Sequence, residues 1–271
     1  MTYFGFLGLF VVLPIVVLSA WMGLDGRRGK VVPRELRTLP PLVVILAHMV
    51  IAFVYTTPWD NYLVATRVWW YDPSLVTGIT LGWVPIEEYT FFLLQPILSG
   101  LLLFTLARYL PRPRAALPAQ GVRMRFIALG PVGALWLASV VMLIDPWPYD
   151  TYLGLILVWA LIPLMGQLAF GADILWRERR LVLSTIAIAT LYLAAADSLA
   201  IATGTWTINP EQSLPILLGG VLPIEEFLFF LMTNVLITFG ATLMASEASR
   251  QRVPFLRQRL VGVHRETAVV E

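Results

Sequence analysis

The sequence predicts an all-α integral membrane protein with seven transmembrane helices, a parallel 3+1+3 internal repeat, an external N-terminus and a cytoplasmic C-terminus. Three observations predict this fold class: seven long apolar runs, basic residues confined to alternate connections, and two copies of one residue pattern. Of the 271 residues, 58% are hydrophobic and 13% are charged, whereas soluble domains average about 25% charged residues. The chain has no cysteine, which excludes disulfide frameworks, thiolate metal sites and iron–sulfur clusters.

Seven apolar runs are each long enough to cross a bilayer as a helix, since one crossing takes roughly 20 apolar residues. They cover residues 3–22, 40–57, 78–106, 126–144, 152–172, 181–203 and 215–244. The alternating strands of about ten residues that are typical of membrane barrels are not seen in the sequence. The chain is therefore expected to be a multi-pass protein of the cell membrane.

Basic residues indicate how these helices are oriented. They cluster after the first, third and fifth runs and in the tail, at Arg27, Arg28, Lys30, Arg34, Arg37, Arg112, Arg114, Arg123, Arg125, Arg177, Arg179, Arg180, Arg250, Arg252, Arg257, Arg259 and Arg265. The other connections contain one basic residue, Arg67. Basic loops are cytoplasmic, so the N-terminus is expected outside. The first run has its charges after its apolar stretch, the wrong polarity for a signal peptide, and is expected to be a permanent helix.

Two halves of the chain carry the same residue pattern. Thr2-Tyr3-x-Gly5 with Pro14 recurs as Thr151-Tyr152-x-Gly154 with Pro163; Asp60, Trp69 and Asp72-Pro73 recur as Asp197, Trp206 and Asn209-Pro210; Pro85-Ile86-Glu87-Glu88 with Phe91-Phe92-Leu93 recurs as Pro223-Ile224-Glu225-Glu226 with Phe229-Phe230-Leu231. Helices 1–3 therefore match helices 5–7, and helix 4 joins them. Because both units begin with an odd-numbered helix, they run in the same direction, with a pseudo-twofold axis along the membrane normal.

This repeat divides the chain into four parts. Residues 1–110 form the first three-helix unit, 111–150 a linker with helix 4, 151–245 the second unit, and 246–271 a basic cytoplasmic tail. Asp60 falls just beyond the second run, whereas Asp197 falls inside the sixth. One of these two helix boundaries is therefore expected to be misplaced.

Four glutamates lie inside apolar runs, and Asp197 and His48 are further buried candidates. The glutamates are Glu87, Glu88, Glu225 and Glu226. A charge at the centre of a membrane helix costs about 2.5–3.5 kcal/mol, so such residues usually face the bundle interior and function there. Helical neighbours point about 100° apart, so one member of each pair is expected to face a cavity while the other braces an adjacent helix. The proline of each motif is expected to kink or open its helix. A purely structural role for the glutamates stays open, and is favoured for His48.

Aromatic and amide side chains complete the candidate site. Most of the aromatic residues on the outer side are expected to form an interfacial belt, and Gln95, Gln167 and Asn234 are expected to form hydrogen bonds between helices. The residues expected to contact a substrate are Phe91, Phe92, Phe229, Phe230, Trp83, Asp60 and Asp197. Aromatic faces can stabilise cations. An ordinary packed core fits the four phenylalanines equally well, and the two aspartates fit a structural role equally well.

The two Pro-Ile-Glu-Glu segments resemble the Pro-x-Glu-Glu/Asp motifs of the membrane-embedded lycopene cyclases. That family occurs as two small subunits, as a fused chain, or as half of fungal enzymes that also carry phytoene synthase. The sequence is similar to the fused form over nearly its whole length, apart from the tail after about residue 245. The resemblance implies a redox-neutral reaction on lycopene, a linear C40 carotenoid: a proton adds to the terminal double bond, the carbocation closes a six-membered ring, and a base removes a proton to leave a β-ring. It implies Glu87, Glu88, Glu225 and Glu226 as the acid, base and cation-stabilising groups.

The expected partners follow from this resemblance. They are the lipid-soluble carotenoid substrate and membrane lipid, without nucleic acid; a homo-oligomer and contacts with other carotenoid enzymes are left open. No cofactor and no metal are expected. The sequence has no Gly-x-Gly-x-x-Gly fingerprint, which excludes the flavin-dependent soluble type of cyclase.

Two other functions stay open. A related carotenoid hydratase would begin with the same protonation and end with water addition. A proton-coupled transporter of small solutes can share the 3+1+3 repeat, although a carrier of polar solutes would need a more polar lumen. A retinal photoreceptor is excluded because the only lysine, Lys30, lies in a cytoplasmic connection. A prenyltransferase is disfavoured because Asp145 and Asp150 do not form an aspartate-rich Mg²⁺ motif.

Several details of the reaction are not determined by the sequence. These are the number of ends cyclised, the ring isomer, the glutamate that donates the proton, and the choice between one shared site and two equivalent ones.

Overall fold

The fold is almost entirely helical in a computed structural model of the chain, which describes residues 1–111, 117, 120–144 and 147–253. Within these residues seven helices are long and apolar enough to cross a membrane, as the sequence predicts. They are α1 Tyr3–Arg27, α2 Pro41–Ala65, α3 Ile86–Leu106, α4 Gly121–Ile144, α5 Thr151–Arg177, α6 Arg179–Ala202 and α7 Ile224–Ala245. A short helix, α8 Glu247–Arg252, follows them.

Six short strands lie in the connections at the pocket end of the bundle, where α3 and α7 begin. They are β1 Trp69–Tyr71, β2 Thr80–Leu81, β3 Val84–Pro85, β4 Trp206–Ile208, β5 Leu217–Leu218 and β6 Leu222–Pro223. β2 pairs with β3 and β5 pairs with β6, both antiparallel, so a tight hairpin precedes each of these helices. Gly82, with φ 69°, turns the first hairpin, a conformation that glycine adopts without steric cost.

The two hairpins correct the predicted starts of the third and seventh helices. α3 and α7 begin at Ile86 and Ile224, not at residues 78 and 215. The hairpin residues are apolar, and composition alone does not separate a short apolar strand from a helix. Pro85 and Pro223 are the N-cap residues of these helices, so the expectation that they kink or open a helix was wrong. Their missing N–H costs nothing where a helix begins.

The second helix is longer than predicted. α2 continues through Pro58 to Ala65, because membrane helices tolerate an internal proline when neighbouring groups satisfy the freed backbone. The expected boundary at residue 57 was therefore the misplaced one, and Asp60 lies inside α2 as Asp197 lies inside α6. Residues 112–116, 118–119, 145–146 and 254–271 lie outside the described residues, and with them a small part of the predicted linker, including Asp145, and most of the basic tail.

α3 and α7 form the centre of the bundle. α3 contacts α1, α2, α6 and α7, and α7 contacts α2, α3, α5 and α6, whereas α4 packs mainly on α5. In the most apolar stretch of α3, 61% of residues are buried, against 6% for α4. α4 is therefore the least buried of these seven helices.

Polar side chains link the central helices. The Gln95 amide on α3 donates to Thr233 Oγ1 on α7 at 2.8 Å, and Ser99 Oγ donates to Asn234 Oδ1 at 2.7 Å. Gln167 on α5 donates to a backbone carbonyl of α7 at 2.9 Å. The predicted role of these three amide residues as hydrogen-bonding groups between helices is confirmed. Such hydrogen bonds each contribute about 0.6 kcal/mol to the stability of membrane proteins. They therefore determine how the helices are positioned against each other more than they stabilise the bundle.

Prolines inside α1 and α5 leave two carbonyls without their helical partners, since proline lacks the N–H that bonds the carbonyl four residues before it. A tyrosine from a neighbouring helix donates to each: Tyr192 Oη to the carbonyl of Phe10 at 3.0 Å, and Tyr55 Oη to that of Trp159 at 2.9 Å. These bonds tie α6 to α1 and α2 to α5.

Candidate active site

One cavity at the pocket end is lined by acidic side chains from both halves of the chain. It holds about 450 Å³ free of protein atoms and is lined by Tyr3, Phe6, Trp69, Tyr71, Glu88, Phe91, Tyr152, Asp197, Trp206, Ile208, Glu226, Phe229 and Phe230. Three carboxyl groups therefore face a cavity whose other walls are aromatic or aliphatic. Glu88 comes from the first turn of α3 and Glu226 from the first turn of α7.

Tyrosine hydroxyls hold the two glutamates in place. Glu88 Oε2 accepts hydrogen bonds from Tyr3 Oη at 2.5 Å and from Tyr71 Oη at 3.0 Å. Glu226 Oε1 accepts one from Tyr152 Oη at 2.7 Å. These hydrogen bonds give each glutamate a defined position in the cavity.

A two-stranded ribbon closes the cavity and makes its two sides different. β1 and β4 pair antiparallel, with Trp69 opposite Ile208, Trp70 opposite Thr207 and Tyr71 opposite Trp206. Tyr71 is the third residue of β1, and the third residue of β4 is Ile208. Glu88 therefore has a second phenol donor, Tyr71 of β1. At the equivalent position on β4, Glu226 has the aliphatic side chain of Ile208 instead.

The ribbon tryptophans show the same difference. Trp69 Nε1 donates to Tyr71 Oη at 3.0 Å, whereas Trp206 Nε1 donates to Asp197 Oδ1 at 2.9 Å. Burial, followed by the nearby Glu88 carboxylate, raises the pKa of the Tyr71 hydroxyl well above its ordinary value. The Tyr71 phenol therefore keeps its proton and its hydrogen bond to Glu88 at neutral and moderately alkaline pH.

The first glutamate of each pair has another position. Glu87 Oε1 accepts the backbone N–H of Thr77, and Glu225 Oε1 accepts that of Leu214, both at 2.6 Å. Both side chains are buried, and neither lines the cavity. The pair geometry thus follows the prediction that one member faces a cavity and the other is a brace, except that the brace holds the preceding loop and not an adjacent helix.

The remaining predicted residues are distributed over several places. Phe91, Phe229, Phe230 and Asp197 line the cavity. Phe92 instead contributes from α3 to a groove that lies mainly between α2, α5 and α7. Asp60 is buried but does not line the cavity. Trp83 lies at the hairpin turn, 68% exposed and away from the cavity, so its expected contact with a substrate stays a prediction that the cavity does not support.

About half of the residues that line the cavity were not predicted as site residues from the sequence. Tyr3, Tyr71, Tyr152, Trp69 and Trp206 contact or approach the carboxyl groups, yet none of them was predicted as a site residue. Four of the five recur at matching positions in the two halves of the sequence. That recurrence was the available signal, because the same pattern singled out the glutamates.

Aromatic rings cover much of the cavity surface. Trp206 lies 4.9 Å from Tyr3 and 5.1 Å from Phe6 between ring centroids, and Phe229 stacks on Trp59 at 5.8 Å. The face of an aromatic ring attracts a cation most strongly where water is excluded. The cavity therefore combines groups that can donate and accept a proton with walls that can stabilise a carbocation.

Comparisons with known proteins agree with this chemistry. The family described as "Lycopene cyclase" matches residues 35–106 and 149–244. The chain is 36% identical over 259 residues to a lycopene beta-cyclase of Halobacterium salinarum (strain R1), covering 93% of this chain and 99% of that protein. It is 38% identical over 198 residues to a bifunctional lycopene cyclase/phytoene synthase of Podospora anserina, covering 71% of this chain and 33% of that protein. The corresponding protein of Colletotrichum graminicola is 40% identical over 210 residues, covering 73% and 35%. No solved structure matches the chain.

Proposed function

The chain belongs to the lycopene cyclase family, and we propose that it closes β-rings at the ends of lycopene within the membrane, without any redox change. The observation that carries this proposal is the convergence of Glu88 and Glu226, from the two halves of the chain, on one aromatic cavity. This arrangement supports one shared site, not two equivalent ones. An enzyme of this kind is an isomerase, because its product has the mass of its substrate.

The reaction needs one proton donor and one proton acceptor. The electron pair of the terminal double bond takes the donated proton, which leaves a carbocation. A second double bond supplies the pair that closes the ring, and loss of a proton from the new ring leaves its double bond. Such positioned acid–base groups contribute about 10²–10⁴-fold to a rate.

The hydrogen bonds support one distribution of these two roles. Phenol donors favour the ionised form of a carboxyl group, and Glu88 accepts two of them while Glu226 accepts one. Glu88 is therefore the base and Glu226 the acid. The aromatic walls stabilise the cation between them and limit the access of water that would capture it.

Glu87 and Glu225 act as positioning residues in this proposal. Each fixes the loop before its helix through a backbone N–H at 2.6 Å, and a carboxylate in the first turn also interacts favourably with the helix dipole. They set the direction of the second glutamate of each pair without contacting the substrate. The resemblance to the family had implied catalytic roles for all four.

The proposed architecture is a parallel repeat of residues 1–110 and 151–245 about a pseudo-twofold axis through the Trp70–Thr207 pair, joined by a linker at 111–150 and followed by a tail at 246–271. Matching contacts support it: Tyr3 N–H donates to the Leu75 carbonyl at 2.8 Å, as Tyr152 N–H donates to that of Gln212 at 3.0 Å. The antiparallel register of β1 and β4 is what such an axis requires.

We propose that the pocket end of the bundle faces the outside of the cell. Single cysteine substitutions test this orientation. The natural chain has no cysteine, so Ser74→Cys at the pocket end and Arg28→Cys at the opposite end each give one exposed thiol. In intact cells a membrane-impermeant maleimide is expected to label Ser74→Cys, and to label Arg28→Cys only after permeabilisation. The reverse pattern would place the N-terminus in the cytoplasm.

Expression in a bacterial host that accumulates lycopene tests the function. We expect the natural protein to produce pigments of unchanged mass with one or two rings. A variant with glutamine at residues 87, 88, 225 and 226 together should produce no cyclic pigment. Products heavier by one water would identify a hydratase. Unchanged lycopene, with the protein shown to be folded in the membrane, would contradict the proposal.

A further inference from the structure

An apolar groove leads away from the cavity along the bundle, between α2, α5 and α7. Its first part holds about 900 Å³ and includes Phe229, which also lines the cavity. Its second part holds about 1140 Å³ and continues to α8. The two parts share Pro163, Gln167, Gly240 and Met244, so they are continuous with each other, and Phe229 lies between the groove and the cavity.

The groove has the length of a membrane-spanning ligand. Between Glu226 and Met244, α7 rises by about 27 Å at 1.5 Å per residue, close to the roughly 30 Å of a bilayer's apolar core. The cavity encloses about 450 Å³ including the space at its mouth, so it can hold at most the reacting end of a C40 chain. The remaining polyene must lie elsewhere, in apolar surroundings that continue from the cavity.

Two glycines line the groove on this side of the proposed pseudo-twofold axis, and Gly166 borders open space there. A Cβ added at Gly166 would meet no heavy atom within 4 Å, whereas one at Gly240 would lie 2.3 Å from His48 Nε2. The corresponding positions of the first unit are Val17, because Pro14 matches Pro163, and Leu102, because Phe91 matches Phe229. Both glycines of the groove are thus replaced by branched side chains on the other side.

From these observations, and resting on the proposed function, we propose that the groove between α2, α5 and α7 binds the polyene chain of the carotenoid while one end reacts in the cavity. The substrate then enters from one side, and its two ends react in turn. Gly166 makes room for the distal part of the chain, far from the reacting atoms.

Filling the groove at Gly166 tests this proposal. Gly166→Phe points a ring into open space, and Gly130→Phe on α4 is the matched control, since Gly130 is also an exposed helical glycine with nothing within 4 Å. Val17→Phe tests the equivalent place in the first unit. The substrates are lycopene and an acyclic apo-carotenoid that keeps one intact end and lacks the distal third of the chain.

We expect Gly166→Phe to cyclise lycopene at least tenfold more slowly while it converts the shortened substrate within about twofold of the natural protein. Gly130→Phe and Val17→Phe should leave both rates unchanged. Equal rates for lycopene in Gly166→Phe and the natural protein would show that the polyene does not use the groove, as would equal losses for both substrates. A natural protein inactive on lycopene would contradict the proposed function instead.

Discussion

Replacing Glu226 with glutamine is expected to lower lycopene cyclisation by about 10²–10⁴-fold, the usual contribution of a positioned general acid. The glutamine amide keeps the shape of the side chain and can still accept the Tyr152 hydrogen bond, but it has no acidic proton to transfer. Lycopene should therefore accumulate without cyclic products. Pigment chromatography with mass detection measures this loss, normalised to the amount of folded protein.

Glu88→Gln should give a different result, because the acid is still present. The cation forms but lacks its base, so conversion falls and the ring that does form loses its proton from another carbon. We expect a smaller total yield and a larger share of other ring isomers than in the natural protein. Lycopene alone, as in Glu226→Gln, would contradict the assignment of Glu88 as the base.

The first glutamates of the two pairs are the matched controls. In Glu225→Gln and Glu87→Gln the amide oxygen can still accept the N–H of Leu214 or Thr77. Activity should therefore stay within a few-fold of the natural protein. A loss at Glu225 as large as that at Glu226 would show that both members of the pair transfer protons.

Asp173→Asn is expected to lower the free energy of unfolding by about 3 kcal/mol, the lower end of the cost of breaking a buried ion pair. Asp173 is 2% exposed and binds Arg252 through both carboxylate oxygens and Arg125 at 3.1 Å. These contacts join α4, α5 and α8. Both arginines keep some access to water, which limits the penalty of losing their partner.

Denaturant unfolding in detergent micelles measures this effect, and an exposed ion pair on α8 provides the comparison. Glu247 lies 3.7 Å from Arg250, with both side chains 40% exposed, and exposed pairs contribute about 0–1 kcal/mol. Glu247→Gln should therefore change the free energy of unfolding by less than about 1 kcal/mol. Equal effects of the two substitutions would mean that the Asp173 contacts do not stabilise the fold.

The number of helices and the importance of the Glu-Glu pairs could be predicted because both depend on composition and position along the chain. The count of seven apolar runs is the same even if the end of each run is wrong by several residues. The start of a helix is less certain: α3 begins at Ile86 because the residues before it turn back as a hairpin around Gly82. In an apolar stretch the sequence carries little information about that turn.

The chemistry of the two glutamates depends on partners that are distant in the sequence. Tyr3 reaches Glu88 across 85 positions, and Tyr152 reaches Glu226 across 74. No local pattern predicts such contacts, since they follow from how α1 packs on α3 and α5 on α7. The same holds for Asp60 and Asp197, which match in sequence while Asp197 alone lines the cavity.

The ribbon of β1 and β4 has a consequence for how a single three-helix unit could work. In the proposed repeat, one unit alone could complete such a cavity only by pairing with a second copy, with the same residue at the end of both strands. In this chain the two positions hold Tyr71 and Ile208. A symmetric pair would rely on its bound substrate to distinguish two identical carboxyl groups. A single chain with different residues at these positions has that distinction encoded in its own sequence.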